Sequence, residues 1–156
     1  HIVKIEGNEA MVETVAHLAG QGVPVCAHLG LLPQWVNKLG GYRVQGREPG
    51  DAEAILRDAV AMERAGADLL LLECVPRELA RKVAEQVSVP LIGIGAGSDC
   101  DAQVLVLYDM LGITPGKTPR FVKNFLSEAA DIPAALAAYV EQVKAGKFPA
   151  PEHTFE

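Results

Sequence analysis

The chain has 156 residues, of which 49% are hydrophobic and 22% are charged, and its formal net charge is −6. These values fit a single globular domain with a sizeable buried core. Nucleic-acid binding needs clustered lysine and arginine, so the acidic balance argues against that class of protein. No segment reaches the ~18 consecutive apolar residues that a membrane span requires, and we expect no signal peptide before the first strand. We therefore expect neither a nucleic-acid nor a membrane partner.

The three cysteines, Cys26, Cys74 and Cys100, are an odd number at wide, irregular spacing. This pattern fits neither a disulfide framework nor a zinc site. Cys26 and Cys74 lie inside apolar strands, where a reduced thiol behaves as a small hydrophobic group. A reducing, cytoplasmic environment is the simplest interpretation.

The first elements alternate between strand and helix. A strand over residues 1–6 precedes a helix over 9–20, in which apolar residues recur at helical spacing. The next strand, 23–29, is a continuous apolar run, as expected for a parallel sheet that is covered on both faces. The polar loop over 30–50 has the length of a lid or binding loop.

The alternation continues after this loop. Asp51 is predicted to cap a helix that runs to Ala65. Apolar patterning then predicts the remaining elements, which are a strand over 68–73, a helix over 77–86, a strand over 89–94, a fifth candidate strand over 104–108, and helices over 121–129 and 132–145.

Alternating strands and helices predict an α/β fold, either a (β/α) barrel or a doubly wound sheet. A barrel of eight units usually takes ~250 residues, so five strands are too few to close it. We predict the carboxyl-terminal part of one (β/α)₈ TIM-type barrel over residues 1–156, with 113–156 as a helical carboxyl-terminal extension. The chain begins inside a strand and without a methionine, so we expect a fragment or one piece of a processed protein.

Polar side chains end three of the predicted strands. In parallel barrels, catalytic groups gather at the carboxyl ends of the strands, and Lys4, Glu6, His28 and Glu73 all come near such ends. Glu73 follows four leucines, where a carboxylate is costly to desolvate unless it is paired, metal-bound or used in proton transfer. The alternative is a carboxylate that reaches solvent or caps the next helix.

The other strand-end residues also have two interpretations. Lys4 and Glu6 are two residues apart and therefore share a strand face, either as a structural ion pair or as ligands of an anionic substrate and of Mg²⁺. A single histidine such as His28 is more often structural than catalytic. The glycine-rich segment 93–97 permits close approach of a ligand, and tight packing explains it equally well.

Together these segments resemble the ketopantoate hydroxymethyltransferase family. The resemblance covers nearly the whole chain, in the order of that family. It is carried by VKIEG (3–7), VCAHLGLLPQ (25–34), GGYRVQGR (40–47), GADLLLLECVP (66–76), VPLIGIGAGSDCDAQVLV (89–106) and FVKNF (121–125).

The resemblance implies an enzyme that transfers a hydroxymethyl group from 5,10-methylenetetrahydrofolate to α-ketoisovalerate, through an enolate stabilised by Mg²⁺, in pantothenate and coenzyme A biosynthesis. By resemblance, Glu73 is the general base at C3 and Glu6 belongs to the Mg²⁺ site. Lys4 and His28 contact the keto acid. The loop over 30–50 is implied to border the site and to cover it.

The resemblance also implies partners. The family's first three strands carry aspartates that hold the metal, and this chain does not contain them, so the missing strands are expected from elsewhere, possibly as a separate chain. A homo-oligomer, decameric in many relatives, is implied as well. Two alternatives remain open, namely a Mg²⁺-dependent C–C lyase of a 2-oxo acid on the same barrel and an inactive scaffold fragment.

Overall fold

The computed structural model describes residues 1–156, with every side chain except that of Leu39. The strands are β1 (Val3–Glu6), β2 (Val25–Gly30), β3 (Leu69–Glu73), β4 (Leu91–Ile94) and β5 (Ala102–Gln103). The helices are α1 (Val12–Gly20), α2 (Val36–Leu39), α3 (Pro49–Arg64), α4 (Arg77–Gln86), α5 (Leu107–Met110) and α6 (Ile132–Lys144). Single 3₁₀ turns lie at Glu9–Met11, Pro33–Trp35, Leu126–Glu128 and Pro151–His153.

The five strands form one parallel sheet in the order β1-β2-β3-β4-β5. Each strand pairs with the next one along the chain, with Glu6 opposite His28 and Gly30 opposite Glu73. Helices connect the first four strands, whereas a loop without a helix connects β4 to β5. Sequential parallel pairing is the arrangement of a (β/α) barrel, and the sheet has two open edges, β1 and β5. The α/β prediction is confirmed, and the open sheet is consistent with part of a barrel.

One face of the sheet packs against helices. Alternate residues of β2 and β3, among them Val25, Ala27, Leu70 and Leu72, form a cluster with the apolar faces of α1, α3 and α4. Because side chains alternate between the two faces of a strand, the residues between them point to the opposite side. The helix-covered face thus holds the larger part of the apolar core and leaves the site residues on the other face.

The carboxyl-terminal region contributes to the cluster on that opposite face. Leu71 and Ile94 belong to one buried cluster with Phe125 and Phe148. The Phe125 ring makes edge contacts with Tyr139 and Phe148 at centroid distances of 5.4 Å and 5.3 Å. Edge-to-face pairs at this separation stabilise an aromatic cluster beyond the area that it buries.

Several predicted boundaries were wrong. The fifth strand covers Ala102–Gln103 instead of 104–108, and α5 begins at Leu107. In a short apolar run, periodicity does not distinguish a strand from a helix. The predicted helix over 121–129 contains only one 3₁₀ turn, because the Asn124 side chain accepts hydrogen bonds from the Leu126 and Ser127 backbone N–H groups.

The loop over 30–50 is also more ordered than predicted. It contains a 3₁₀ turn and α2, and α3 begins at Pro49 rather than after Asp51. Glu48 occupies the N-cap position and makes no side-chain capping bond. Proline favours the first helical position because its φ is already helical and its missing N–H would have no partner there. Among the described helices, none has the length and apolarity needed to cross a membrane.

Candidate active site

The predicted site residues converge at the carboxyl ends of β1, β2 and β3. Lys4 and Glu6 lie on one face of β1, and His28 stands opposite Glu6 in the β1–β2 register. Glu73 is the last residue of β3 and is opposite Gly30, two residues beyond His28. Since the strands are parallel and neighbouring, their ends bring these side chains to one edge of the sheet.

The four side chains contact one another in a chain from β1 to β3. Lys4 Nζ donates to Glu6 Oε1 at 2.8 Å and lies 3.2 Å from His28 Nδ1. On the other side of the ring, His28 Nε2 is 3.3 Å from Glu73 Oε2. The structure therefore brings all four predicted residues together, with His28 in the centre.

These contacts assign the tautomer of His28. An ammonium group only donates hydrogen bonds, so Nδ1 beside Lys4 must accept one. The neutral ring then carries its hydrogen on Nε2, the nitrogen that faces Glu73. Glu6 Oε1 is farther from Nδ1, at 3.6 Å, and Lys4 is its closer partner.

Two atoms of the cluster are buried without a hydrogen-bond partner in the described structure, namely Glu6 Oε2 and His28 Nε2. The His28 side chain is 3% exposed, while those of Glu6 and Glu73 are each 16% exposed. Buried polar atoms in proteins are nearly always paired, and the exceptions are often at functional sites. This part of the sheet edge is therefore polar and able to bind a ligand.

A helix cap, one of the two structural roles that the sequence left open for Glu73, is not observed. The next helix, α4, follows Pro76 and has no side-chain cap, so Glu73 does not cap it. Its carboxylate faces His28 instead of extending into solvent. For Lys4 and Glu6, the ion pair that the sequence left open is present at 2.8 Å.

A Mg²⁺ ion fits this cluster only in part. The unpaired Oε2 of Glu6 is a hard oxygen ligand of the kind that Mg²⁺ prefers. The described side chains form no group of three or more His, Cys, Asp or Glu that could hold a metal ion. Mg²⁺ is commonly held by one or two carboxylates together with water and substrate, so Glu6 is suited to be one ligand of such an ion.

The glycine-rich segment 93–97 packs against side chains. A Cβ atom at Gly95 would lie 2.8 Å from the Phe121 ring, and one at Gly97 would lie 2.7 Å from the Arg77 side chain. These glycines also have positive φ angles of 62° and 81°. Tight packing at the end of β4 therefore requires them, which is one of the two interpretations that the sequence left open.

The loop over 30–50 reaches the end of β3. The backbone N–H of Gln45 donates to the carbonyl oxygen of Cys74 at 2.8 Å, directly after Glu73. Tyr42 in the same loop is 75% exposed. The loop thus borders the candidate site at one point and extends into solvent at another.

The cysteines are free and mostly buried, as the sequence predicted. Cys26 and Cys74 are buried, and Cys100 is partly buried. Burial, and secondarily the negative charge of Glu73, raises the pKa of the Cys74 thiol to about 12. A thiol with this pKa stays protonated near neutral pH.

One close contact beside Glu73 was not predicted from the sequence. A Cβ atom at Gly30 would overlap the carbonyl oxygen of Glu73, so only glycine permits this approach of β2 to β3. A glycine at the end of a buried strand, opposite a candidate catalytic residue, was the available signal.

Comparison with known proteins adds to this geometry. The family model described as ketopantoate hydroxymethyltransferase matches residues 1–151. A protein of Marinobacter nauticus, named 3-methyl-2-oxobutanoate hydroxymethyltransferase, is 61% identical over 156 residues, which are 100% of this chain and 59% of that protein.

Proteins with the same name are similar in other bacteria. The one from Alkalilimnicola ehrlichii is 60% identical over 99% of this chain and 56% of its own length. The one from Neisseria gonorrhoeae is 60% identical over 99% of this chain and 59% of its own length. The chain thus spans somewhat more than half the length of these curated relatives and matches their carboxyl-terminal portion. It belongs to the ketopantoate hydroxymethyltransferase family.

Proposed function

We propose that this chain, together with the strands that complete its barrel, transfers a hydroxymethyl group from 5,10-methylenetetrahydrofolate to α-ketoisovalerate and forms ketopantoate. The reaction would serve pantothenate and coenzyme A biosynthesis. The observation that carries the proposal is the contact chain Glu6–Lys4–His28–Glu73 at the carboxyl edge of the sheet. Relatives named for this reaction match the chain over its whole length.

Glu73 is the proposed general base. Its carboxylate ends β3 with 16% of the side chain exposed, next to His28 Nε2 at 3.3 Å. A partly exposed carboxylate at the site edge can reach a substrate and accept the proton from C3. His28 Nε2 makes no hydrogen bond in the described structure, so an Nε2–H group there is free to donate to a substrate oxygen or to the nearby Glu73 carboxylate.

Lys4 is the proposed contact for the keto acid carboxylate. Its side chain is 47% exposed, the most accessible of the four, and carries three donors. Lys4 already pairs with Glu6, so an anionic substrate must either share Lys4 with Glu6 or take the place of Glu6. The short distance to His28 Nδ1 keeps Lys4 at the site in either case.

The charges of the cluster favour a divalent cation. With neutral His28, the formal charges are one positive (Lys4) and two negative (Glu6 and Glu73), and an anionic keto acid adds another negative charge. Like charges in a partly buried site repel one another strongly. When bound, Mg²⁺ would supply a Lewis acid that stabilises the negative charge developing on the keto oxygen. Glu6 is the side chain that would hold it here.

The remaining strands of the barrel and a homo-oligomeric assembly belong to the same proposal. The chain matches 59% of the Marinobacter relative, and the part that it does not match would complete the sheet between β5 and β1. The metal-holding aspartates implied by the resemblance would come from there. The folate co-substrate would approach from the same edge.

The proposal is tested by deuterium exchange at C3 of α-ketoisovalerate, followed by proton NMR with and without Mg²⁺. The assay compares the 156-residue chain alone with the joined protein, in which the chain is fused to the part of the Marinobacter relative that it does not match. We expect Mg²⁺-dependent exchange in the joined protein. A folded joined protein that exchanges no faster than buffer with Mg²⁺ would contradict the proposed function.

A further inference from the structure

The alternation of side chains along β3 breaks directly after Glu73. Leu70 and Leu72 lie in the cluster that faces the helices, and alternation would place Cys74 there too. Cys74 belongs instead to the opposite cluster, together with Leu71. Its φ angle is 50°, the only positive value outside glycine in the described chain, and this left-handed step turns the side chain to the other face.

Distant parts of the chain hold this left-handed step. The Cys74 N–H donates to the Ile94 carbonyl at 2.9 Å, and the Cys74 carbonyl accepts from the Gln45 N–H at 2.8 Å. The Glu73 carbonyl accepts from the Leu31 N–H at 2.8 Å. The peptide between Glu73 and Cys74 is therefore held by Leu31, directly after β2, and by β4, while the following peptide is held by the loop before α3.

Gly30 makes the contact with β2 possible. It has a φ of 88°, and a Cβ atom there would overlap the Glu73 carbonyl oxygen and lie 3.2 Å from the Glu73 backbone nitrogen. With any side chain at this position, either the backbone of residue 30 or the backbone of Glu73 would have to move. Because Gly30 has no side chain, the backbone of β2 can approach the backbone of Glu73, the proposed base, this closely.

The Cys74 thiol has no chemical role in this arrangement. Cys74 is 7% exposed and packs in an apolar cluster. Burial raises the pKa of the thiol to about 12. What matters at this position is the backbone conformation.

We infer that Gly30 and Cys74 are positioning residues for Glu73. The inference deepens the proposed function and rests on it. The close backbone approach at Gly30 and the left-handed conformation at Cys74 fix the peptide on either side of Glu73. They thereby direct its carboxylate toward His28 and the substrate. Misplacement of a catalytic group by about 1 Å can lower a rate by about 100-fold.

Two glycine-to-alanine substitutions with similar backbone strain test the inference at Gly30. Gly30→Ala and Gly22→Ala both place a Cβ at a positive φ, but Gly22 has no atom within 4 Å of that Cβ. In the joined protein, we expect Gly30→Ala to lower kcat for C3 exchange by about 100-fold with little change in KM for the keto acid. Gly22→Ala should lower Tm without a comparable loss of kcat. Equal kcat in the two variants would overturn the inference.

Two substitutions test Cys74. Valine is disfavoured at positive φ, whereas glycine adopts it freely. We expect Cys74→Val to lower kcat about as much as Gly30→Ala, and Cys74→Gly to keep kcat within about threefold of the parent. A Cys74→Gly variant that is as impaired as Cys74→Val would overturn the inference. If Gly30→Ala does not fold, the comparison of Cys74→Val with Cys74→Gly still tests the inference.

The pH profile of kcat separates positioning from general destabilisation. Moving the base relative to His28 should shift the apparent pKa of the profile in Gly30→Ala and Cys74→Val but not in Gly22→Ala. Unshifted profiles in the first two variants would overturn the inference. A joined parent protein without any C3 exchange would overturn the proposed function, and this inference with it.

Discussion

His28 links the two carboxylates of the site because each of its ring nitrogens faces a different group. Nδ1 is 3.2 Å from Lys4 Nζ, and Nε2 is 3.3 Å from Glu73 Oε2. The ring is 3% exposed, so its orientation is fixed by packing as well as by these contacts. We therefore expect a substitution of Lys4 or Glu6 to alter the orientation of the His28 imidazole and, through it, the position of the Glu73 carboxylate.

Replacing Glu73 tests the proposed base directly. In the joined protein, Glu73→Gln keeps the size of the side chain but cannot accept the C3 proton, so we expect C3 exchange to fall by at least about 100-fold. Binding of the keto acid, measured by calorimetry, should remain. Glu78→Gln is the control, because Glu78 is exposed on α4 and pairs only with Arg81. Unchanged exchange in Glu73→Gln would remove Glu73 from the mechanism.

Replacing Glu6 distinguishes a metal ligand from a structural ion pair. If its free Oε2 binds Mg²⁺, Glu6→Ala should weaken Mg²⁺ binding by about tenfold or more in calorimetry on the joined protein. Glu9→Ala, at an exposed position three residues away, should leave the affinity unchanged. Normal Mg²⁺ affinity in Glu6→Ala would mean that Glu6 serves only as the partner of Lys4.

Asp58 on α3 predicts a pH dependence of stability. Burial raises its pKa above the ordinary value of 3.8, and the effects of the Glu9 N–H and of Arg57 only partly oppose it. One carboxylate oxygen, Oδ1, is buried without a partner. The folded state therefore holds this proton more tightly than the unfolded state, so the Asp58 contribution to stability decreases as the pH rises above about 3.8.

Asp58→Asn should remove this pH-dependent loss of stability, because the asparagine side chain does not ionise. We expect its Tm to exceed that of the parent at neutral pH, with a smaller difference near pH 4. Thermal unfolding of both proteins across this pH range measures the effect. A difference in Tm that does not grow with pH would contradict the assignment to Asp58.

At the scale of elements, two aspartates hold the starts of strands. Asp68, just before β3, accepts from the Val25 N–H at the start of β2 at 2.9 Å. Asp101, just before β5, accepts from the Leu91 N–H at the start of β4 at 2.8 Å. Each carboxylate thus satisfies a backbone donor of the neighbouring strand and helps to set the register of the parallel pair.

Asp101→Ala should destabilise the β4–β5 pair. It leaves the partly buried Leu91 N–H without its acceptor, which costs about 1–3 kcal/mol. Asp101→Asn retains an oxygen acceptor and should cost clearly less. The free energy of unfolding in urea measures both changes. Equal losses in the two variants would mean that the charge of Asp101 matters and that the hydrogen bond does not.

Predictions from the sequence differed in accuracy between elements. The helix Arg77–Gln86 was predicted at its observed bounds, because its apolar positions recur at helical spacing and Pro76 precedes it. The helix over 132–145 was also predicted well, since α6 covers Ile132–Lys144. The segments between β4 and α6 were predicted less well. There, the Asn124 side-chain bond to the Leu126 N–H and the contact between Phe125 N–H and the Met110 carbonyl override the local pattern. Apolar periodicity indicates neither a side-chain cap nor a contact between residues distant in the chain.

At the scale of the molecule, the sheet is open on both sides. Ile2 and Val3 at the β1 edge and Val104 and Val106 beyond β5 are between 40% and 49% exposed. Open edges of a parallel sheet present unpaired backbone groups and apolar side chains to solvent. Both edges are the places where the proposed remaining strands would pair.

Hydrogen exchange of backbone amides tests this arrangement. In the joined protein, we expect amides of β1 and β5 to exchange more slowly than in the 156-residue chain alone, because new strands would cover them. Amides of the central strand β3 serve as the internal control, since both of its neighbours are already present. Equal exchange of the β1 and β5 amides in the two proteins would contradict pairing at these edges.

The amino-acid sequence by itself determined the alternation of strands and helices and the side chains that would meet at one edge, Lys4, Glu6, His28 and Glu73. Apolar periodicity and polar strand ends are local properties, and a parallel sheet converts them into a common edge. Only the tertiary structure decided the contacts of His28 and the left-handed conformation of Cys74. Those depend on hydrogen bonds and close approaches from residues distant in the chain, which no local pattern contains.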